Sequence, residues 1–255
     1  MAPRGKPNVL WIQTDELRAD GLGCYGQSPW AHPLTPSLDA LAARGVLFDN
    51  TYCNSPVCVP SRTSMLTGRY PHEIGVYHNE ASRHVLPGEL ISFPQAFAAA
   101  GYQTVTIGKT HTPKHPIWGR VVGSLAGAGS AVRPYRSRGG EPPPLAVRLP
   151  GAPPVLVGGI CALAPGEISA TTHLTNLALE WLQADGGRGD PWMLRVSYLM
   201  PHTPVLAPQR FADLFDPADF AFDAGRDRPH ETMPAFERFI ADANRGGQLS
   251  PEQVA

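Results

Sequence analysis

The sequence has almost no net charge. Its 21 lysine and arginine residues face 22 aspartate and glutamate residues, which gives a formal charge of −1 at pH 7. A chain without a basic surplus has little to neutralise a nucleic-acid backbone. The sequence also lacks a polybasic or amphipathic segment that would anchor it to a membrane surface. We therefore expect neither nucleic acid nor a membrane as a partner, and the sequence gives no indication of an oligomeric state.

Cysteine is scarce as well. The four cysteines, at positions 24, 53, 58 and 161, do not have the spacing of a zinc site. Residues 1–7 lack the apolar segment of a signal peptide. A cytoplasmic location is expected, and its reducing environment disfavours disulfides. A thiol at position 58 that is not part of a disulfide fits this environment.

Strand and helix patterns alternate from residue 9 to residue 110. This alternation is typical of a mostly parallel sheet flanked by helices, and 255 residues are enough for one large α/β domain. The predicted strands are residues 9–13, 46–48 and 102–107, and the predicted helices are residues 35–44 and 92–100.

The composition changes between residues 119 and 166, where 18 of 48 residues are glycine or proline. This predicts an irregular excursion inside a single region that spans residues 1–255. Regular patterns return with a predicted helix at 171–184 and a predicted strand at 192–199. Residues 250–253 have the pattern of a capping box that opens a helix with no room to continue. We therefore expect the fold to be incomplete at its C-terminus.

The most informative segment is residues 58–62, with the sequence C-V-P-S-R. Cys58 and Arg62 are four positions apart, so a helix that begins here places both on one face. Pro60 suits the first helical turn, and the Ser61 hydroxyl can accept a hydrogen bond from an amide of that turn. The positive end of the helix dipole would then face an anion beside the thiol. The segment predicts an oxyanion site, whereas a Cys-Arg pair taken alone also fits a buried cysteine and a surface arginine.

Other polar side chains follow the predicted strands. Asp15 comes after the first strand, Lys109 and His111 end another, and His202 follows a third. The carboxyl ends of parallel strands form the edge of the sheet at which ligands bind. Residues two apart on extended backbone also point to one side. We therefore expect these four residues to converge with the 58–62 segment.

The segments resemble the signatures of the formylglycine-dependent sulfatases, which belong to the alkaline phosphatase-like superfamily. Residues 58–62 match C-x-P-S-R with T-G following at 67–68, residues 108–111 resemble G-K-x-H, and residues 201–204 resemble P-H-x-P. Residues 14–20 resemble the N-terminal metal-binding segment of the family. In that segment Asp15 would be a metal ligand, and Glu16 occupies the second acidic place. Whether one or two ligands come from this turn stays open.

The resemblance implies that the chain is the N-terminal catalytic region of a sulfuric ester hydrolase. A maturation enzyme would oxidise Cys58 to formylglycine. One hydroxyl of the hydrated aldehyde would attack the sulfur of a small sulfate ester and displace the alcohol, and the second hydroxyl would then expel sulfate. A divalent cation, Ca²⁺ or else Mg²⁺ or Mn²⁺, would be held by Asp15, the formylglycine and Glu16 if it serves as a ligand.

The resemblance also implies roles for the remaining residues. Arg62 would hold the diol and balance the local charge. Lys109 and His202 would clamp the sulfate oxygens, while His111 would orient the diol and assist its collapse.

One element of the family pattern has no counterpart, because no D-N-G or D-H-G follows His202. Ca²⁺ takes six or more oxygen ligands, so we expect little turnover from this 255-residue chain. Two alternatives stay open. One is a phosphonate or phosphate monoester hydrolase of the same superfamily, since clamps for anions separate sulfate from phosphate poorly. The other is a non-catalytic remnant that keeps an anion pocket.

Overall fold

The computed structural model divides the chain into two compact units. The first comprises residues 1–15, 50–136 and 167–199, and the second comprises residues 16–49, 137–166 and 200–255. Most of the predicted excursion at 119–166 and the predicted helix start at residue 250 lie outside the described residues. The structure describes residues 5–26, 34–83, 86, 89–113, 120–122, 146–147, 155–156, 159–161, 169–184, 189–202 and 206–215.

Four parallel strands form the sheet of the first unit, in the order β1-β7-β2-β3. The strand that comes last in the sequence therefore lies between the first two. This arrangement confirms the predicted parallel sheet. The strands are β1 (Val9–Gln13), β2 (Gln103–Gly108), β3 (Arg120–Val122) and β7 (Trp192–Ser197).

In the described part of the first unit, four α-helices build two hydrophobic cores. The first core contains Val59 and Leu66 of helix α2 and reaches Trp11 of the sheet. The second core packs Leu174 and Trp181 of helix α5 against β2 and β7. Helices therefore flank the sheet, as predicted. They are α2 (Cys58–Thr67), α3 (Pro71–Ile74), α4 (Phe93–Ala99) and α5 (Ala170–Ala184).

Strand β7 has two chemically different faces. Leu194 and Val196 belong to the core under α5. Because side chains alternate along a strand, Arg195 and Ser197 point to the opposite face. The register of the sheet places Arg195 beside Trp11 and Ser197 beside Gln13. A row of polar side chains therefore lies at the carboxyl end of this face.

Gly108 allows β2 to end against β7. Its φ is +94°, and a Cβ at this position would lie 2.2 Å from the Ser197 carbonyl oxygen. Only glycine accepts both this backbone conformation and this approach. The next residue, Lys109, donates its amide to the same carbonyl at 2.9 Å. Gly108 thereby fixes where the Lys109 side chain leaves the sheet.

The second unit has helix α1 (Pro36–Arg44), which the sequence predicted, and short strands. Residues 46–48 are not a strand, so that prediction is wrong: Val46 and Phe48 are 78% and 69% exposed, and a strand this exposed has no core to pack on. Among the described helices, none combines the length and apolarity needed to cross a membrane. Among the described residues of this unit, the strands are β4 (Ala146–Val147), antiparallel to β5 (Val155–Leu156), and β6 (Gly159–Cys161), parallel to β8 (Leu206–Pro208). The unit also contains the short helix α6 (Gln209–Ala212) and two 3-10 turns at Ala19–Gly21 and Gly23–Tyr25.

Candidate active site

Asp15 lies at the centre of a buried cluster of charges in the first unit. It follows β1, and its Oδ2 accepts hydrogen bonds from the Lys109 ammonium and, at 3.0 Å, from Nη2 of Arg62. The exposed fractions of the three residues are 8%, 1% and 3%. These contacts join the ends of β1 and β2 to helix α2. They should be kept in the folded protein, because a buried charge is costly unless it is paired.

The pKa of the Asp15 carboxyl is lower than its usual value of 3.8. Burial opposes this by disfavouring the charged form. The hydrogen bond from Lys109 and the positive charges of Arg62 and Lys109 together outweigh burial. Asp15 is therefore an anion at neutral pH, and the two cations beside it are fixed by it.

Arg62 uses both branches of its guanidinium. While Nη2 contacts Asp15, Nη1 donates to the Lys109 carbonyl oxygen at 3.2 Å and to the Ser197 hydroxyl at 3.0 Å. A planar fork with several donors is suited to this task, since each branch can satisfy a different acceptor. The side chain is thus held by three strands or strand ends at once.

A second guanidinium lies beneath this cluster. Arg195 is fully buried, donates to the Gln13 amide oxygen at 2.5 and 3.1 Å, and stacks 4.9 Å from the centre of the Trp11 ring. It also donates to the Lys109 carbonyl oxygen at 3.2 Å and to the Ser197 hydroxyl at 3.1 Å. Burial, and then the charge of Arg62, lower the pKa of Arg195 from its usual value to about 9. It is therefore still protonated at pH 7.

Cys58 is the first residue of α2 and is half-buried. Its Sγ and the Asp15 carboxylate lie within 4.8 Å of each other. This confirms that the helix starts at Cys58, and its Arg62 reaches the same carboxylate. The expected helix cap is different, however: Asn79 Oδ1 accepts the Val59 amide at 3.0 Å, while the Ser61 hydroxyl contacts Cys53 Sγ at 3.3 Å.

The remaining predicted residues are placed as follows. His111 is half-buried in the first unit and has a φ of +42°. The extended backbone expected at His111 is therefore wrong, and the alignment of its side chain with Lys109 stays a prediction. His202 and Glu16 lie in the second unit, where His202 Nε2 and Glu16 Oε1 are 3.3 Å apart. The structure brings together Asp15, Cys58, Arg62 and Lys109, and the convergence of the histidines with them stays a prediction.

A protein-family model described as Sulfatase matches residues 7–223, which is well over half of the sequence. The chain belongs to the sulfatase family. Members of this family generally use a metal ion and a formylglycine.

Curated sulfatases share parts of the sequence. The uncharacterized sulfatase YidJ of Escherichia coli K12 is 30% identical over 224 residues, which cover 86% of this chain and 43% of that protein. Human arylsulfatase A is 42% identical over 110 residues, which cover 41% of this chain and 21% of that protein. This sulfatase chain therefore spans less than half the length of these curated relatives.

Solved structures share the fold. Two phosphonate monoester hydrolases, from Agrobacterium radiobacter and Silicibacter pomeroyi, superpose with a TM-score of 0.64 each and are 25% and 26% identical. The matches cover 89% and 98% of this chain, and 47% and 52% of those chains. These comparisons confirm the predicted alkaline phosphatase-like α/β fold of the sulfatase chain.

The family signatures do not include four residues that position this site. Gln13, Arg195 and Ser197 lie on one face of the sheet, and Asn79 holds the start of α2. The sequence does contain a signal for Arg195 and Ser197. These two residues, one charged and one polar, alternate with Leu194 and Val196 in a predicted buried strand. That alternation indicates a strand with one polar face, which is unusual in a parallel sheet.

A divalent cation fits the donors of the sulfatase cluster in kind but not in number. Ca²⁺ and Mg²⁺ prefer oxygen ligands and require at least six. The described part of the first unit offers the Asp15 carboxylate, and oxidation of Cys58 would replace a soft sulfur beside it by oxygen. Further ligands would have to come from other parts of the protein.

Proposed function

We propose that the protein hydrolyses sulfuric esters of small molecules with a formylglycine made from Cys58. One observation carries this proposal: Cys58 begins a helix within 4.8 Å of an Asp15 carboxylate that is buried with Arg62 and Lys109. A helix start and two buried cations form an environment that favours an anionic group. A site of this kind stabilises negative charge during the transfer of a sulfuryl group.

Each of the clustered residues has a separate task in this proposal. Oxidised Cys58 provides the nucleophilic oxygen. Arg62 and Lys109 keep Asp15 ionised and present positive charge where the sulfate oxygens lie. The cations are preorganised, since their contacts with Asp15, Ser197 and the Lys109 backbone already exist before substrate enters. Preorganised donors do not have to reorient as charge develops, which is the main advantage of such a site.

The proposed cofactor is a divalent cation, Ca²⁺ or else Mg²⁺ or Mn²⁺. Asp15 and the oxygen of oxidised Cys58 would hold it, and Glu16 is a further candidate. When bound, such an ion lowers the pKa of a neighbouring hydroxyl and polarises the ester. His202 and His111 complete the proposal as groups that bind sulfate oxygens and move protons.

The proposal includes a partner and a location. A formylglycine-generating enzyme must act on Cys58, and the cytoplasm is the proposed compartment. A sulfate ester of low molecular weight is the proposed substrate.

The direct test combines mass spectrometry with turnover. The protein is produced in cells that contain the maturation enzyme, and the tryptic peptide that carries Cys58 is analysed for the aldehyde. Turnover of an aryl sulfate is then measured beside a Cys58→Ala variant and a Cys53→Ala control. We expect aldehyde in the wild type and in the control. The little ester hydrolysis expected of this 255-residue chain should be lost in Cys58→Ala and kept in Cys53→Ala. An unmodified thiol in such cells would instead favour the non-catalytic remnant.

A second candidate function is the hydrolysis of phosphonate monoesters. The similarity to two phosphonate monoester hydrolases at 25% and 26% identity favours it. Buried cations hold sulfate and phosphonate oxygens through the same contacts, so the cluster fits both. Comparing kcat/KM for an aryl sulfate and an aryl phosphonate with the same leaving group separates the two. A higher value for the phosphonate would replace the first proposal by the second.

A further inference from the structure

We propose that Arg195 is a positioning residue of the active site, which holds Arg62 and Lys109 in place from beneath the sheet edge. This inference rests on the proposed function, because it assigns a role within the same anion site. Arg195 acts through the two acceptors that it shares with Arg62.

The shared acceptors are the central observation. The Lys109 carbonyl oxygen accepts from Nη1 of Arg62 and from Nη1 of Arg195, both at 3.2 Å. The Ser197 hydroxyl oxygen accepts from Arg62 at 3.0 Å and from Arg195 at 3.1 Å. Two like charges that meet on the same two oxygens cannot move independently. The position of Arg195 therefore sets the position of the Arg62 branch that contacts them.

Arg195 is itself held rigidly. Gln13 accepts two of its hydrogen bonds from one side, and the Trp11 ring covers it. Trp11 packs against the core under α2, so this contact links the guanidinium to the packed interior. A side chain fixed by these two neighbours can transmit its position to Lys109 and Ser197.

The stability of the fold does not explain an arginine here. A buried guanidinium loses its hydration, and apolar residues of similar volume in such positions are often neutral or stabilising. Residue 195 lies in a strand whose neighbours Leu194 and Val196 are apolar. The unfavourable free energy of burying this charge is explained if Arg195 contributes to the active site rather than to the stability of the fold. At that site, Arg62 and Lys109 contact Asp15, and Arg195 adds a third positive charge that contacts the Lys109 carbonyl and the Ser197 hydroxyl, an environment that favours an anionic ligand.

The test measures the binding of inorganic sulfate by calorimetry at constant ionic strength. The variants are Arg195→Met and Arg195→Lys in the purified protein, and Trp181→Phe is the stability control. Trp181 packs on Trp192 at the start of β7, the opposite end of the strand from Ser197, with ring centres 5.7 Å apart. Urea unfolding of every variant separates loss of the fold from loss of the site.

We expect Arg195→Met to raise the sulfate Kd about tenfold, a size usual for residues that share hydrogen-bond partners. Arg195→Lys should raise it by about fivefold, because lysine keeps the charge but lacks the fork. In turnover of the matured protein, both variants should lower kcat more than they raise KM. Trp181→Phe should leave the sulfate Kd unchanged even where it lowers stability.

Each other outcome overturns a defined claim. If Arg195→Lys binds sulfate as the wild type does, charge alone is needed and the positioning role is wrong. If Arg195→Met binds sulfate as the wild type does, Arg195 has no role in the site. Should Arg195→Met fail to fold, Arg195→Lys decides by the same criterion. If the wild type itself binds neither sulfate nor phosphate, the proposed function fails and this inference fails with it.

Discussion

Replacing Asp15 by asparagine tests whether the buried charges depend on one carboxylate. The amide keeps the shape and one oxygen acceptor but removes the negative charge. Arg62 and Lys109, which are 3% and 1% exposed, would then be buried cations without a negatively charged partner at position 15. Breaking a buried pair in this way costs about 3–5 kcal/mol. We expect the lower end, about 3 kcal/mol, because the amide oxygen still accepts hydrogen bonds.

This loss is measurable as a change in melting temperature. For a chain of this size, 3 kcal/mol corresponds to a decrease of roughly 10 °C in Tm. Calorimetry at pH 7 and low salt gives the value directly. Asp20→Asn is the matched control, because Asp20 forms an exposed pair with Arg18 at 2.6 Å, and it should leave Tm almost unchanged.

A double variant identifies the physical origin of the loss. If the cost of Asp15→Asn comes from an unpaired buried ammonium, then adding Lys109→Met removes that ammonium and should recover part of the lost stability. The double variant would then melt above the single Asp15→Asn variant. A double variant that melts lower, by the sum of the two single effects, would refute the reasoning. So would a single variant that melts with the wild type.

Three further predictions follow from contacts of the same unit. The pKa of Asp15 is lowered in the folded state, so its contribution to stability is present above pH 3.8 and is lost as pH falls through the lower folded pKa; acid unfolding of Asp15→Asn should therefore be less pH-dependent than that of the wild type. Asn79→Ala should cost about 1 kcal/mol in urea unfolding because the Val59 amide loses its cap, whereas Asn79→Asp, which keeps an acceptor, should cost less. Gly108→Ala should cost about 3 kcal/mol or more because of its positive φ and the close Ser197 carbonyl, and a soluble variant of unchanged stability would contradict the described end of β2.

The sequence predicts the local elements of the first unit well. Strand β1 and helix α5 follow from their hydrophobic patterns. The predicted helix at 92–100 is α4, and the structure shows that it begins with a Ser92–Gln95 capping box. The start of α2 at Cys58 follows from Pro60 and the four-residue spacing to Arg62. In each case the information lies within one or two helical turns. Local patterns of this kind are sufficient when the element packs as its pattern indicates.

Other features depend on backbone geometry that the sequence does not display. Residues 46–48 have strand-forming side chains but are exposed, so no core stabilises a strand there. His111 has a positive φ, so its backbone is not extended and the two-residue spacing does not fix the direction of its side chain. Positive φ at a residue other than glycine is uncommon. An argument from extended spacing therefore fails where a strand has already ended, as β2 has at Gly108.

The order of the strands in the sheet determines which buried residues support the active site. Because β7 lies between β1 and β2, Arg195 and Ser197 lie between the two strands whose carboxyl ends lead to Asp15 and Lys109. Gln13 and Arg195 are 182 residues apart in sequence, so no local pattern connects them. The family signatures identify groups at the strand ends, which would meet the substrate. Two residues that hold those groups, Arg195 and Ser197, come from strand β7. Only the folded structure reveals that Arg195 shares the Lys109 carbonyl and the Ser197 hydroxyl with Arg62.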